Sequence, residues 1–370
     1  MLIFFTKYAI FLQLLLPLRH NHPHMMNRIL IVILTFALHS ATLLAEDWMS
    51  RLPDEAYVAA LSIPGAHDAA TGYGFSGWLG MFGNRYARTQ DLNIAQQWHI
   101  GVRAFDLRPS VYKNYINIHH GIVPTKMRFD HALQLLCDSL QAHPTEFVII
   151  HMLHEAEGDK VKNAYDTRIQ QLLRQDRFRR FLIDYRPNLK VSDIRGKILI
   201  LSRNYYSDEP IGGIFTNWTG SLNWQRQTAG TIVGIHGATG KFYVQDFSAT
   251  HFSGGVTLKV NAIAQMLDSS THMNYSDPQH IVWVFNFASA YSKVESLFGR
   301  KISLSNGYRD NATHTHEAIL NYLATHPAGP TGIILMDFAG VDHSNGYPTR
   351  GAELVQALIN NNFRYLSLKK

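Results

Sequence analysis

The sequence predicts an α/β chain folded as a single irregular TIM-type β/α barrel. Residues 46–370 contain eight short apolar runs, rich in β-branched and aromatic residues, each ending in a polar or ionisable residue. Helix-period stretches lie between most of them, the alternation that builds a parallel sheet with helices outside. No Pro/Ser-rich linker, low-complexity run or internal repeat divides the chain, and a length of this order suits one closed barrel.

The first run, ALSIPGAHD (60–68), stops sharply at Pro64 and Gly65, which sets His67 and Asp68 at a strand rim. In VRAFDLR (102–108) the period-2 alternation puts Ala104, Asp106 and Arg108 on one face, and Arg103, Phe105 and Leu107 on the other. An inward Asp and Arg are costly unless they pair or meet a charged ligand. The third run, YINIHHG (115–121), follows after only six residues, too few for a crossover helix. The barrel is therefore expected to be irregular there, with that pair antiparallel. Alternation lets only one of His119 and His120 point inward and does not choose between them.

The remaining runs are FVIIHMLHE (147–155), KILILSR (197–203), FYVQDF (242–247), IVWVFNF (281–287) and GIILMDF (332–338). Helical periodicity covers 93–99, 129–142, 160–182, 257–267, 313–325 and 350–360. In β/α barrels chemistry gathers at the carboxyl ends of the strands. His67, Asp68, Asp106, Arg108, His120, His154, Arg203, Asp246, Asn286 and Asp337 are thus expected to converge.

Residues 1–45 read as an N-terminal extension and secretory signal. Two apolar runs, 8–16 and 29–38, are each too short for a membrane span, and a small-residue ending falls at Ala45. Met25 or Met26 is a plausible true start, and a secreted or periplasmic location follows. Removing the segment takes away Lys7, Arg19 and Arg28 and no acid, so the formal charge falls from +6 to +3. The remaining Lys and Arg are scattered, which argues against a nucleic-acid partner. The single cysteine, Cys137, has no internal disulfide partner and sits in an amphipathic stretch as a core residue. HTHE (314–317) departs from HExxH spacing and is not read as a zinc site.

SIPGAHD, GVRAFDLR, the IHHG step and the late LMDF, in that order, resemble the X-type catalytic region of bacterial-type phosphatidylinositol-specific phospholipases C. Weaker echoes are DIRGKILILSR, YVQDF and FNFAS, so the resemblance spans about Trp48 to Asn360. It implies cleavage of phosphatidylinositol to diacylglycerol and inositol 1,2-cyclic phosphate. His67 would be the general base, His120 the general acid, Asp337 the partner of His67, Asp68 the support of the acid side, and Arg108 the phosphate holder positioned by Asp106. Arg203 and Asp246 would bind inositol hydroxyls, with His154 standing nearest to a position the family gives to lysine. Ser248 stands where the family has an aromatic residue. An arginine in place of a calcium ion implies no metal and no cofactor. The glycine-rich loop GYGFSGWLGMFGNRY (72–86) would carry a membrane rim of Trp78, Leu79, Met81 and Phe82. Phosphatidylinositol, glycosyl-phosphatidylinositol anchors and a transient membrane surface are the implied partners of a monomer. A related phosphodiesterase with another headgroup preference, a catalytically silent lipid-binding barrel, and a barrel glycosidase using Asp106 and Asp337 are the alternatives.

Overall fold

The structure is a computed structural model that describes residues 46–218, 228–278, 280–297 and 300–367. The apolar runs read as a signal lie outside the described residues. From Asp47 onward the chain forms one compact unit, and among the described residues no helix is long and apolar enough to cross a membrane.

Nine strands close into a ring in chain order: β1 (Ser62–Ala66), β2 (Ala104–Leu107), β3 (Val148–Met152), β4 (Ile198–Ser202), β5 (Gly213–Thr216), β6 (Thr228–Gly234), β7 (Thr239–Gln245), β8 (Val282–Phe287) and β9 (Gly332–Met336), with β9 pairing back to β1. Every neighbouring pair is parallel except those made by β6, which runs antiparallel to both β5 and β7. The irregular β/α barrel expected from the sequence is the observed fold. Strand β1 is squeezed between its neighbours: a Cβ on Gly65 would lie 2.8 Å from the Leu335 side chain and 3.0 Å from Ala104 Cβ.

Seven of the eight apolar runs are barrel strands, and the third is not. Ile116–His120 is the middle strand of a separate antiparallel sheet with Pro109–Val111 and Val123–Arg128. The short link after β2 leaves the chain no route back around the ring, so it doubles over itself instead. Strands β2 and β3 pair directly, and the ring is completed between β4 and β7 by β5 and β6, GIFT and TAGTIVG, whose glycines disguised them. A Cβ on Gly213 would come within 2.7 Å of Ile232, and one on Gly230 within 2.5 Å of Phe242. These glycines make room for large side chains on the adjacent strands, whereas in a sequence they read as breakers.

Six longer helices surround the ring: α1 (Ile94–His99), α2 (Phe129–Ala142), α3 (Tyr165–Leu173), α4 (Gly255–Thr271), α5 (Ser305–Thr325) and α6 (Gly351–Ser367). Helix α1 starts with a capping box between Asn93 and Gln96. Helix α2 buries Phe129, Ala132, Leu133, Leu136, Cys137 and Leu140, spaced three and four apart, against the sheet. Burial pushes the Cys137 thiol up to about 12, as befits an inert core residue. HTHE lies within α5 rather than at its start. His316 is buried there, its Nδ1–H donating to the Thr349 carbonyl at 2.6 Å.

Candidate active site

His67 follows directly on β1, and its backbone N–H extends the ladder to Met336 O at 2.9 Å. Buried Gln90, arriving from the loop beyond the rim, donates to the carbonyls of both His67 and Met336 at 2.8 Å. Asp68 then takes a left-handed conformation (φ 45°, ψ 50°) and donates its own N–H to Asp106 Oδ2. This backbone clamp fixes the His-Asp pair before any side-chain contact is counted.

His67 Nδ1–H donates to Asp337 Oδ1 at 2.7 Å, and its Nε2 accepts from Arg108 Nη2 at 2.8 Å. The carboxylate fixes the tautomer, leaving the Nε2 lone pair as the reactive site. Burial, reinforced by Arg108, holds the His67 imidazole well below its usual value, so it rests as a free base. Burial and the nearby Asp68 carboxyl push Asp337 up.

Arg108 is the hub. It contacts Asp106 Oδ2 at 2.9 Å, Asp68 Oδ1 at 2.9 Å and Glu155 Oε1 at 3.2 Å. Burial opposes its charge, but these three carboxylates hold the guanidinium well above its usual value. The approach to Asp68 lacks the alignment of a hydrogen bond, and both Asp68 oxygens are buried without a hydrogen-bond donor. Burial accordingly raises Asp68 well above the usual carboxylate range. Asp106 goes the other way: burial would raise it, but Arg108 and the hydrogen-bonded His151 hold it low.

His120 comes from the extra sheet. Its Nδ1–H donates to the Ala87 carbonyl at 2.7 Å, which leaves Nε2 as acceptor, 3.3 Å from the Tyr308 hydroxyl and 3.6 Å from Asp68 Oδ2. The His67 and His120 rings stand 6.4 Å apart. Burial, then Arg108, lowers His120 to about 4. His119 is the residue turned away: buried, with its ring tilted against that of Tyr112, it leaves the inward position to His120.

A cleft of about 350 Å³ opens over these groups, lined by His67, Arg108, His120, Arg203, Asp246 and Tyr308, with Ser248 and Tyr291 at one side. Arg203 contacts Asp246 Oδ2 at 3.3 Å, and Trp218 Nε1–H donates to the same oxygen. The structure thus brings together His67, Asp68, Asp106, Arg108, His120, Arg203, Asp246 and Asp337. His154 stands apart from the cleft. Its Nε2 is bonded to Asp159 Oδ2 at 2.9 Å, and its ring stacks on Tyr165 at 3.7 Å.

The fourth run contributes two other residues that sequence reasoning missed. His151, in register with Asp106, gives its Nδ1–H to Asp106 Oδ1 at 2.8 Å. Its signal was available, an ionisable residue inside an otherwise apolar buried run. Glu155 pairs with Arg108, and Tyr308 reaches the site from α5, too far along the chain for any local pattern to announce it. At the rim, Trp78, Met81 and Phe82 are 72%, 68% and 46% exposed, while Leu79 is half-buried.

His67, Asp68 and Asp106 offer ligand atoms within 4.8 Å of one another, the spacing of a metal site. Arg108 already occupies the centre of that cluster. A divalent ion would have to displace a guanidinium held by three carboxylates, and would find three ligands where calcium takes about six to eight.

No family model matches the chain. It is 34% identical over 166 residues to the 1-phosphatidylinositol phosphodiesterase of Listeria monocytogenes, an alignment covering 43% of this chain and 49% of that protein. The chain thus spans about half the length of this relative. Against the protein of the same name from Staphylococcus aureus strain Newman it is 24% identical over 308 residues, 80% of this chain and 88% of the relative. The solved phosphatidylinositol-specific phospholipase C of S. aureus superposes with a TM-score of 0.66 at 21% identity, covering 86% of this chain and 97% of that one. The L. monocytogenes enzyme gives 0.61 at 23% identity, covering 86% and 98%. In sequence the chain is similar to bacterial 1-phosphatidylinositol phosphodiesterases, and its fold is that of the bacterial phosphatidylinositol-specific phospholipases C.

Proposed function

We propose that the chain is a phosphatidylinositol-specific phospholipase C working by histidine acid-base catalysis. One observation carries this reading: the Nε2 atoms of His67 and His120 both face Asp68 Oδ2, at 3.3 and 3.6 Å, with Arg108 between the surrounding carboxylates. In-line displacement at a phosphodiester needs a base on the attacking oxygen, an acid on the leaving oxygen and a cation on the equatorial oxygens. His67 Nε2 takes the proton of the inositol 2-hydroxyl as O2 bonds to phosphorus. The bond from phosphorus to the diacylglycerol oxygen breaks, and that oxygen takes its proton from His120 Nε2. The products are diacylglycerol and inositol 1,2-cyclic phosphate, with no covalent enzyme intermediate.

Substrate phosphate competes with His67 Nε2 for Arg108, which frees the base as it binds. Arg108 supplies the fixed charge, so the chemistry runs without a metal. Arg203 and Asp246 face the inositol hydroxyls. Tyr291, whose N–H donates to the Ser248 carbonyl at 3.0 Å, offers the aromatic wall beside Ser248. The site is complete within one chain, and the apolar N-terminal runs support export.

The test is phosphorus NMR of phosphatidylinositol vesicles treated with the protein, with and without chelator, beside phosphatidylcholine and a glycosylated inositol lipid. A cyclic phosphate signal insensitive to chelation is expected. Cleavage confined to a non-inositol lipid, or activity lost on chelation and restored by calcium, overturns the reading.

A further inference from the structure

A second, larger cleft of about 660 Å³ is lined by Arg85, Arg88, Arg309, Asp91, the first residues of α5 and the turn at Ser344 and Asn345. Three guanidinium groups line it against two carboxylates, Asp91 in the lining and Glu295 on Arg85. Arg309 is 6% exposed, bonded through Nε to Ser344 Oγ at 2.7 Å, and its Nη2 forms an ion pair with Asp91 Oδ1 at 3.6 Å. The Arg88 guanidinium donates to two neutral acceptors, Asn84 Oδ1 and the Gln90 carbonyl. Arg85 is held by Glu295 and Tyr86 across the mouth. Burial lowers Arg309 below its usual value; the Asp91 carboxylate opposes that effect and Arg88 adds to it. Three guanidinium groups against two carboxylates leave an excess of positive charge that an anion entering the cleft would offset.

Position gives the cleft its meaning. Arg85 and Arg88 follow closely in the chain on the exposed Trp78, Met81 and Phe82. Tyr308 faces the active-site cleft and its neighbour Arg309 faces this one, so the start of α5 is a shared wall. Helix α5 is 21 residues long, and its N-cap, Leu304, gives no side-chain cap, so its dipole adds positive potential at the cleft. Apolar residues entering a bilayer beside a guanidinium cleft bring that cleft level with the phosphates of neighbouring lipids.

We infer that this cleft binds the phosphate of a second, anionic phospholipid and holds the protein at negatively charged membranes independently of the substrate in the active site. The inference rests on the reading of the chain as an enzyme of lipid surfaces. Its test contains no inositol lipid, so the two fail separately.

Binding of the full protein to phosphatidylcholine vesicles, with and without phosphatidylglycerol, is measured by co-sedimentation at low salt. Wild type is expected to favour the anionic vesicles about tenfold or more, at about one kcal/mol per interfacial guanidinium. Arg85→Gln/Arg88→Gln should lose most of that preference. Arg177→Gln/Arg180→Gln, which removes the same charge from exposed residues preceding β4, at the opposite end of the barrel, should keep it. Inorganic phosphate should compete with the anionic vesicles for wild type. Equal loss in both double variants, or no preference in wild type, overturns the inference in favour of diffuse attraction or none. Phosphate binding without any vesicle preference overturns the lipid as its source.

Discussion

The two histidines face each other across one cleft, yet they are held in different ways. His67 stands on the barrel wall, at the end of β1, with a carboxylate behind its ring. His120 stands outside the barrel, on the added antiparallel sheet, with a neutral carbonyl behind its ring and a tyrosine hydroxyl at its front. A carboxylate stabilises the imidazolium that a general base becomes. A carbonyl orients the ring and stabilises that charge less. His67 is therefore suited to gain a proton, whereas His120, lowered by burial and Arg108, would need added negative charge nearby to hold one as the proposed acid. In the proposed mechanism the incoming phosphodiester supplies it: its negative charge offsets Arg108, and the unclaimed oxygens of Asp68 accept from a protonated Nε2.

The largest effects should break the pair apart. His67→Ala and His120→Ala are each expected to lower kcat on phosphatidylinositol by about 10² to 10⁴. On an inositol phosphodiester with a nitrophenol leaving group the two should diverge. A good leaving group needs no acid, so His120→Ala recovers most of the rate and His67→Ala stays slow. Equal recovery in both would exchange or erase the assigned roles.

A smaller effect concerns pH. The proposed mechanism requires His67 unprotonated and His120 protonated. The acid limb, where His67 gains its proton, is expected well below its usual 6.5, because burial and Arg108 lower it. The alkaline limb appears as His120 loses its proton. In the free protein that happens at about 4, and bound phosphate raises it. The alkaline limb of kcat should thus lie at higher pH than that of kcat/KM, as read from full pH-rate profiles. Coincident limbs would mean that substrate charge does not reach His120.

The smallest effect is at Tyr308. Its hydroxyl donates to His120 Nε2 and favours the neutral ring, so Tyr308→Phe should move the alkaline limb of kcat/KM up by at most about one unit. The change in rate should be only a few-fold. Nitrogen NMR of the imidazole in the variant gives the same shift independently, and no shift would reduce Tyr308 to a wall.

How these parts could be read from the chain differs in the same way. Asp106 and Arg108 were legible because charge on the inner face of a buried strand demands a partner. His67 and Asp68 were legible as the polar end of an apolar run, although Pro64 and Gly65, read as its stop, are paired inside β1. The barrel itself followed from apolar runs alternating with helical ones. Strands β5 and β6 were hidden, because their glycines serve neighbours that are remote in sequence. His154 was favoured over His151 because attention to run endings overlooks a register that only β2–β3 pairing creates.

The sequence by itself determined the fold class and the chemical types at the strand ends, since both depend on periodicity and on the cost of burying charge, which act locally. The tertiary structure decided the rest. It removed the third run from the wall, chose His120 over His119, placed Tyr308 against it, and gathered Arg88 and Arg309 into one cleft. Each of these depends on which distant segments share a boundary. Closure of the ring sets those boundaries, and no local pattern encodes them.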